Sequence, residues 1–120
     1  MSLMSTLLRK KPAPLTSLVG HTVRWRFDDG PVAGKSFEHR FIEDGSVEFR
    51  LLDAAGKGRW MHVDVSAATM LAAGVFAISY LAKSGYTLSA VLNLANGKVV
   101  AFASNEKDWQ VQEGTFELVR

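Results

Sequence analysis

The sequence predicts an all-β protein, a small antiparallel up-and-down barrel of eight or nine strands with little helix beyond a short helical turn. Two observations carry that expectation. Several segments alternate apolar and polar side chains with a period of two, as half-buried strands do. Turn-forming pairs such as Asp44-Gly45 and Asn96-Gly97 separate them at near-even spacing, the pattern of an antiparallel barrel. A barrel of that size has an interior wide enough for side chains or for one small ligand.

Taken in order, residues 1–14 end in Lys11-Pro12-Ala13-Pro14 and read as an N-terminal arm, because two prolines oppose helix and sheet alike. Residues 15–120 form the single domain. Pro14 to Gly20 reads as one helical turn whose leucines plug an end of the barrel. The first strand, His21 to Phe27, puts Val23, Trp25 and Phe27 on one face and Arg24 and Arg26 on the other. After the Asp28–Gly34 turn, Ser36 to Ile42 turns Phe37, His39 and Phe41 inward; after Asp44-Gly45, Ser46 to Leu52 does the same with Val47, Phe49 and Leu51. These three strands form a meander. Their outward Arg24, Arg26, Arg40 and Arg50 stand beside Glu38 and Glu48 as a mixed cross-strand charge ladder.

Arg59 to Val65 is a fourth strand with two readings. Either Arg59, Met61, Val63 and Val65 face inward, or Trp60, His62 and Asp64 do; the first set is more apolar, which turns Arg59 into the barrel. Ser66 to Gly74 reads as a short helical turn, capped by Ser66 and stopped by Gly74. Strands follow at Val75–Ala82, Tyr86–Leu94, Lys98–Ser104, Trp109–Gln112 and Thr115–Val119.

Composition removes several function classes. At 120 residues the chain buries one core without staples, and the absence of cysteine excludes thiol chemistry and Cys-built metal sites. The net charge of +2 comes from bases scattered among acids, unlike the clustered basic face of a nucleic-acid binder. No apolar run approaches the roughly 18–20 residues of a membrane span. Leu7-Leu8 precedes Arg9-Lys10-Lys11, the reverse of a secretory signal, so a cytoplasmic location is expected. The three histidines lack metal-ligand spacing, and no phosphate loop is present; no metal, cofactor, nucleic acid or membrane is expected as a partner.

The run Trp25 to Gly30, then Phe37-Glu38-His39, Gly58-Arg59-Trp60, Gly74 to Tyr80 and Asn96 to Val100 resembles the calycin-type, lipocalin-like family that contains phenolic acid decarboxylases and molybdenum cofactor biosynthesis protein F. The resemblance spans Gly20 to about Ser104 and is closer to the cofactor-biosynthesis (MoaF-like) branch. The decarboxylase branch implies two tyrosines on the first strand, an arginine in Gly-Arg-Trp and a glutamate after the Ile78–Tyr80 strand. Here the arginine is kept as Arg59, but Trp25, Phe27 and Ala82 stand at the other positions. Indole, phenyl and methyl groups cannot hold a carboxylate or shuttle a proton as hydroxyls and an acid do.

The resulting expectation is a barrel that binds a small acidic or aromatic molecule. Arg59 would anchor the acid, His39 and Tyr80 would lie nearby, and Trp25, Phe27 and Phe49 would supply apolar wall. The rival readings are an enzyme using His39 and Arg59 on a carboxylated substrate, and a structural barrel with a filled interior. Outward Trp60 and the fifth strand, apolar on both faces, point to a homodimer, the assembly the decarboxylase resemblance also implies.

Overall fold

The computed structural model describes residues 15–53 and 56–119, so the arm expected over residues 1–14 lies outside the described residues. The strands are β1 (Thr22–Phe27), β2 (Ser36–Phe41), β3 (Val47–Asp53), β4 (Gly56–Lys57), β5 (Met61–Val63), β6 (Ser66–Ala72), β7 (Val75–Leu81), β8 (Thr87–Asn93), β9 (Lys98–Ser104) and β10 (Trp109–Val119). They pair in the order β4-β3-β2-β1-β10-β9-β8-β7-β6, with β5 also on β3. β4 lies along Leu52 and Asp53, and β5 along Val47 to Phe49, so the two are pieces of one interrupted edge. Nine strand positions thus curl into a nearly closed antiparallel barrel. The seam falls between β5 and β6, where the Ser66 N–H donates to the Gly45 carbonyl at 3.0 Å.

Alternation places most of the core as the sequence predicts, except that Leu51, expected inward, is exposed. Val23, Trp25, Phe27, Phe41, Val47, Phe76, Ile78, Leu92 and Val99 are buried together. Leu18 is buried with this core, as the plug the sequence predicts. Residues 15–20 form no helix; Val19 makes a single parallel bridge to Phe41 instead.

No helix occurs among the described residues, and the helical turn expected over Ser66–Gly74 is strand β6 followed by a tight turn. Ser, Ala, Met and Leu are adequate helix formers, but that preference is weak beside a full antiparallel ladder with β7, from Ser66↔Tyr80 to Ala72↔Val75. The fourth strand is shorter than expected. Val63 is buried and His62 faces outward, but Met61 and Val65 are exposed, and pairing begins only at Met61. The last two expected strands are one, β10, which passes from β9 to β1 without a break.

That passage depends on Gly114, which pairs with Phe27 on one side and Val99 on the other. A Cβ at Gly114 would collide with the backbone carbonyl of Arg26. Gly58 has a related role: its N–H donates to the Leu51 carbonyl at 2.8 Å, and a Cβ there would meet the same oxygen at 2.6 Å.

The outer face of β1–β3 carries the charge ladder. Glu38, only 2% exposed, accepts from Arg24 Nη2 at 2.8 Å through one oxygen and from Arg50 Nη2 at 2.7 Å through the other. Arg40 pairs with Glu48 at 2.6 Å. Trp60, expected as an exposed outward ring, lies against the Arg40 and Arg50 guanidiniums at 3.9 and 4.2 Å from its centroid. The ring therefore covers the ladder instead of standing free in solvent.

A Gly114→Ala variant must move the β1 or β10 backbone and is expected to lose about 1–3 kcal/mol of stability, the scale of forced overpacking. Urea denaturation measures it, and an unchanged midpoint would contradict the close approach.

Candidate functional site

The barrel interior is asymmetric because its walls differ in residue size. β1, β2 and β3 turn Trp25, Phe27, Phe37, His39 and Phe49 inward. Register brings them together: Trp25 faces Phe37, and His39 stands between Val23 and Phe49. The opposite wall offers Leu88 and the small side chains Ala82 and Ala103. Large groups facing small ones leave space, and a cavity of about 210 Å³, partly open to solvent, lies between them. Val32, Ser84, Tyr86 and Gln112 complete its lining.

His39 is the centre of this wall. Its ring stacks on Trp25 at 4.1 Å between centroids and on Phe49 at 5.5 Å. Its Nε2 lies 2.6 Å from the Tyr80 hydroxyl, and Tyr80 stacks in turn on Phe49 at 5.4 Å. Burial without a charged partner lowers the His39 pKa from 6.5 to about 3, so the imidazole is neutral. Burial likewise raises the Tyr80 pKa, keeping the phenol protonated. The arrangement that leaves fewest groups unpaired has the Tyr80 O–H donating to Nε2, which puts the imidazole proton on Nδ1.

Three buried side-chain polar atoms among the described residues have no hydrogen-bond partner: Trp25 Nε1, His39 Nδ1 and Gln112 Oε1. All three belong to residues that line the cavity. Buried polar groups are nearly always paired, so three partnerless ones around a single apolar space are unusual. With the tautomer assigned above, they are two donors and one acceptor.

Of the residues expected from the sequence, Trp25, Phe27, His39, Phe49 and Tyr80 all line this one cavity. Arg59 does not. It is exposed and precedes β5, because the Gly58–Leu51 contact turns the chain there and strand alternation does not reach back to it. The inward position expected for Arg59 is therefore corrected to an exposed one. Gln112 was not anticipated; in sequence it is one polar residue in a polar stretch, and only the continuity of β10 fixes which way it points. Ala103 and Leu88 were legible as strand residues but not as cavity wall. Among the described residues, no group of three or more His, Cys, Asp or Glu is placed to hold a metal ion.

The His39 shift has a definite consequence for stability. Between pH 6.5 and about 3 the unfolded chain binds a proton at His39 that the folded chain does not. This contribution to stability is complete above pH 6.5 and is lost as pH falls toward 3, by on the order of 5 kcal/mol. The His39 ring resonances should stay unmoved from neutral pH down to about pH 4 in an NMR titration. A midpoint near the ordinary histidine value would contradict the buried neutral ring.

Comparison with known proteins agrees with this architecture. A crystallised protein from Burkholderia vietnamiensis, described as a "putative beta-lactamase", superposes with a TM-score of 0.69 at 21% identity, covering 85% of this chain and 95% of that one. At that identity the likeness is one of fold. No curated protein matches the sequence. The family model described as MoaF-like matches residues 19–117, which take in the cavity wall and every strand but the last two residues of β10, and the chain belongs to the MoaF-like family.

Proposed function

We propose that this MoaF-like barrel binds a small, flat organic molecule bearing a hydrogen-bond acceptor, held in the cavity against Trp25, Phe27, His39, Phe49 and Tyr80. The observation that carries the reading is an apolar cavity, three of whose lining residues, Trp25, His39 and Gln112, each hold a buried polar atom without a partner. Ligand sites have this make-up, a mostly apolar wall with a few placed polar groups. A carbonyl, ether or phenol oxygen would accept from Trp25 Nε1 or His39 Nδ1, and the rings would cover the faces of the molecule. At about 210 Å³ the space suits a single ring, being smaller than the roughly 300–1,000 Å³ of drug-sized sites.

The alternative, an enzyme using His39 as an acid or base, fits the site less well. Efficient proton transfer at neutral pH needs a group titrating near neutrality. The His39 pKa is lowered to about 3 and the Tyr80 pKa is raised, so neither group is poised for it. Trp25, Phe27 and Ala82, at the positions of the decarboxylase hydroxyls and acid, all line the cavity without supplying such groups.

Trp25 is the tryptophan in the cavity wall, so its fluorescence reports occupancy. One-ring aromatic probes should quench it saturably, and Ala103→Phe, which fills the space, should abolish the effect. Hydroxycinnamic acids should bind without release of carbon dioxide. Failure of every one-ring probe would sink the binding reading, and turnover at about 1–1,000 per second would replace it with catalysis.

A further inference from the structure

We propose that the ligand of this cavity is an organic acid that enters by the barrel seam and meets Lys83 there with its anionic end. This inference rests on reading the cavity as a ligand site and names the chemistry of what fills it.

The seam provides the opening. β6 pairs with β7 only as far as Ser66↔Tyr80, so the chain beyond Tyr80 has no strand beside it on that side. The turn after β7 faces β5 instead. A second cavity, of about 260 Å³, lies between them, lined by Phe49, Met61, His62, Val63, Ala82, Lys83 and Ser84. Phe49, Ala82 and Ser84 also line the first cavity, so the two spaces adjoin. A ring in the first leaves a short tail directed toward the second.

Few cations border that second space, and Lys83, an exposed one, is left to meet an incoming anion. Among its described lining residues, only His62 and Lys83 can be cationic. His62 is engaged by carboxylates on both nitrogens, Glu48 at 3.3 Å and Asp64 at 3.1 Å. Glu48 is itself held by Arg40 at 2.6 Å. Lys83 makes no ion pair with any described residue, and it sits in the tight turn closed by the Gly85 N–H donating to the Ala82 carbonyl at 2.9 Å. A short turn holds the base of the side chain at the mouth, and an ammonium without a partner favours a carboxylate or another monoanion over a neutral group. Arg59, the cation anticipated from sequence, is exposed and lines neither space.

The test compares 3-phenylpropionate with its neutral amide, 3-phenylpropionamide, by calorimetry on the wild type and two variants. The wild type should prefer the acid. Lys83→Met should weaken the acid by about 3–10-fold, the modest effect of a charge that stays in contact with water, and leave the amide unchanged. Added salt should weaken only the acid. An acid affinity indifferent to Lys83→Met overturns the inference, as does an equal loss for both compounds, which would mark a structural role. Loss of acid preference in Arg59→Ala, with Lys83→Met silent, returns the anchor to Arg59. If neither compound binds the wild type while another one-ring probe quenches Trp25, this inference falls and the cavity reading stands; if no one-ring probe binds, both fall.

Discussion

The interior depends on one hydrogen bond, between His39 and Tyr80. In the sheet their strands, β2 and β7, are separated by β1, β10, β9 and β8. The 2.6 Å contact therefore spans the lumen and joins two walls that the seam leaves without a closing ladder. Inside a buried, low-dielectric space such a bond is strong, and leaving either partner unpaired is costly. Stacking of His39 between Trp25 and Phe49 fixes the ring plane, and Tyr80 fixes the tautomer. Beside this contact, the aromatic wall faces the small side chains of Ala82 and Ala103, and the cavity lies between them.

The two faces of β1–β3 divide the work. Period-two alternation sends Phe37, His39 and Phe49 inward and Glu38, Arg50 and Glu48 outward on the same strands. Outside, Glu38 is gripped by Arg24 and Arg50 under the cover of Trp60. Exposed ion pairs contribute little, but a buried carboxylate with two guanidinium partners fixes the register of three strands at once. A one-residue slip would bury the arginines and expose the rings. The ladder and the His39–Tyr80 contact lie on opposite faces of β2, and a site mounted on such paired strands is positioned before any ligand arrives.

Much of this was legible in the sequence, for a reason specific to barrels. Alternation names the inward face without knowledge of which strands pair, so Trp25, Phe27, His39 and Phe49 could be assigned to the lumen from local pattern alone. Tyr80 lies on a strand apolar on both faces, and its inward direction follows only from the register. The misreadings fall where local pattern is insufficient. Ser66–Ala72 has helix-compatible residues, and its strand state follows from pairing with β7. Arg59 lies one turn before its strand begins, and only the Gly58–Leu51 approach shows that alternation stops there. Gly114 reads as a strand break, yet it is the residue that lets β10 serve two neighbours. The cavity itself was the least legible feature, because it arises from small residues placed opposite large ones. That juxtaposition exists only once the register is known, which is also why Lys83, in a polar turn, carried no signal.

The account turns on whether the space beside the His39–Tyr80 pair is a site or merely loose packing. A crystal structure of the protein grown with 3-phenylpropionate tests this most directly. The account predicts electron density for the ring against Phe49 and Trp25, with Ala103 on its far side and the His39–Tyr80 hydrogen bond intact. A structure with that bond broken, Phe49 or Leu88 moved into the space and no ligand density would contradict it.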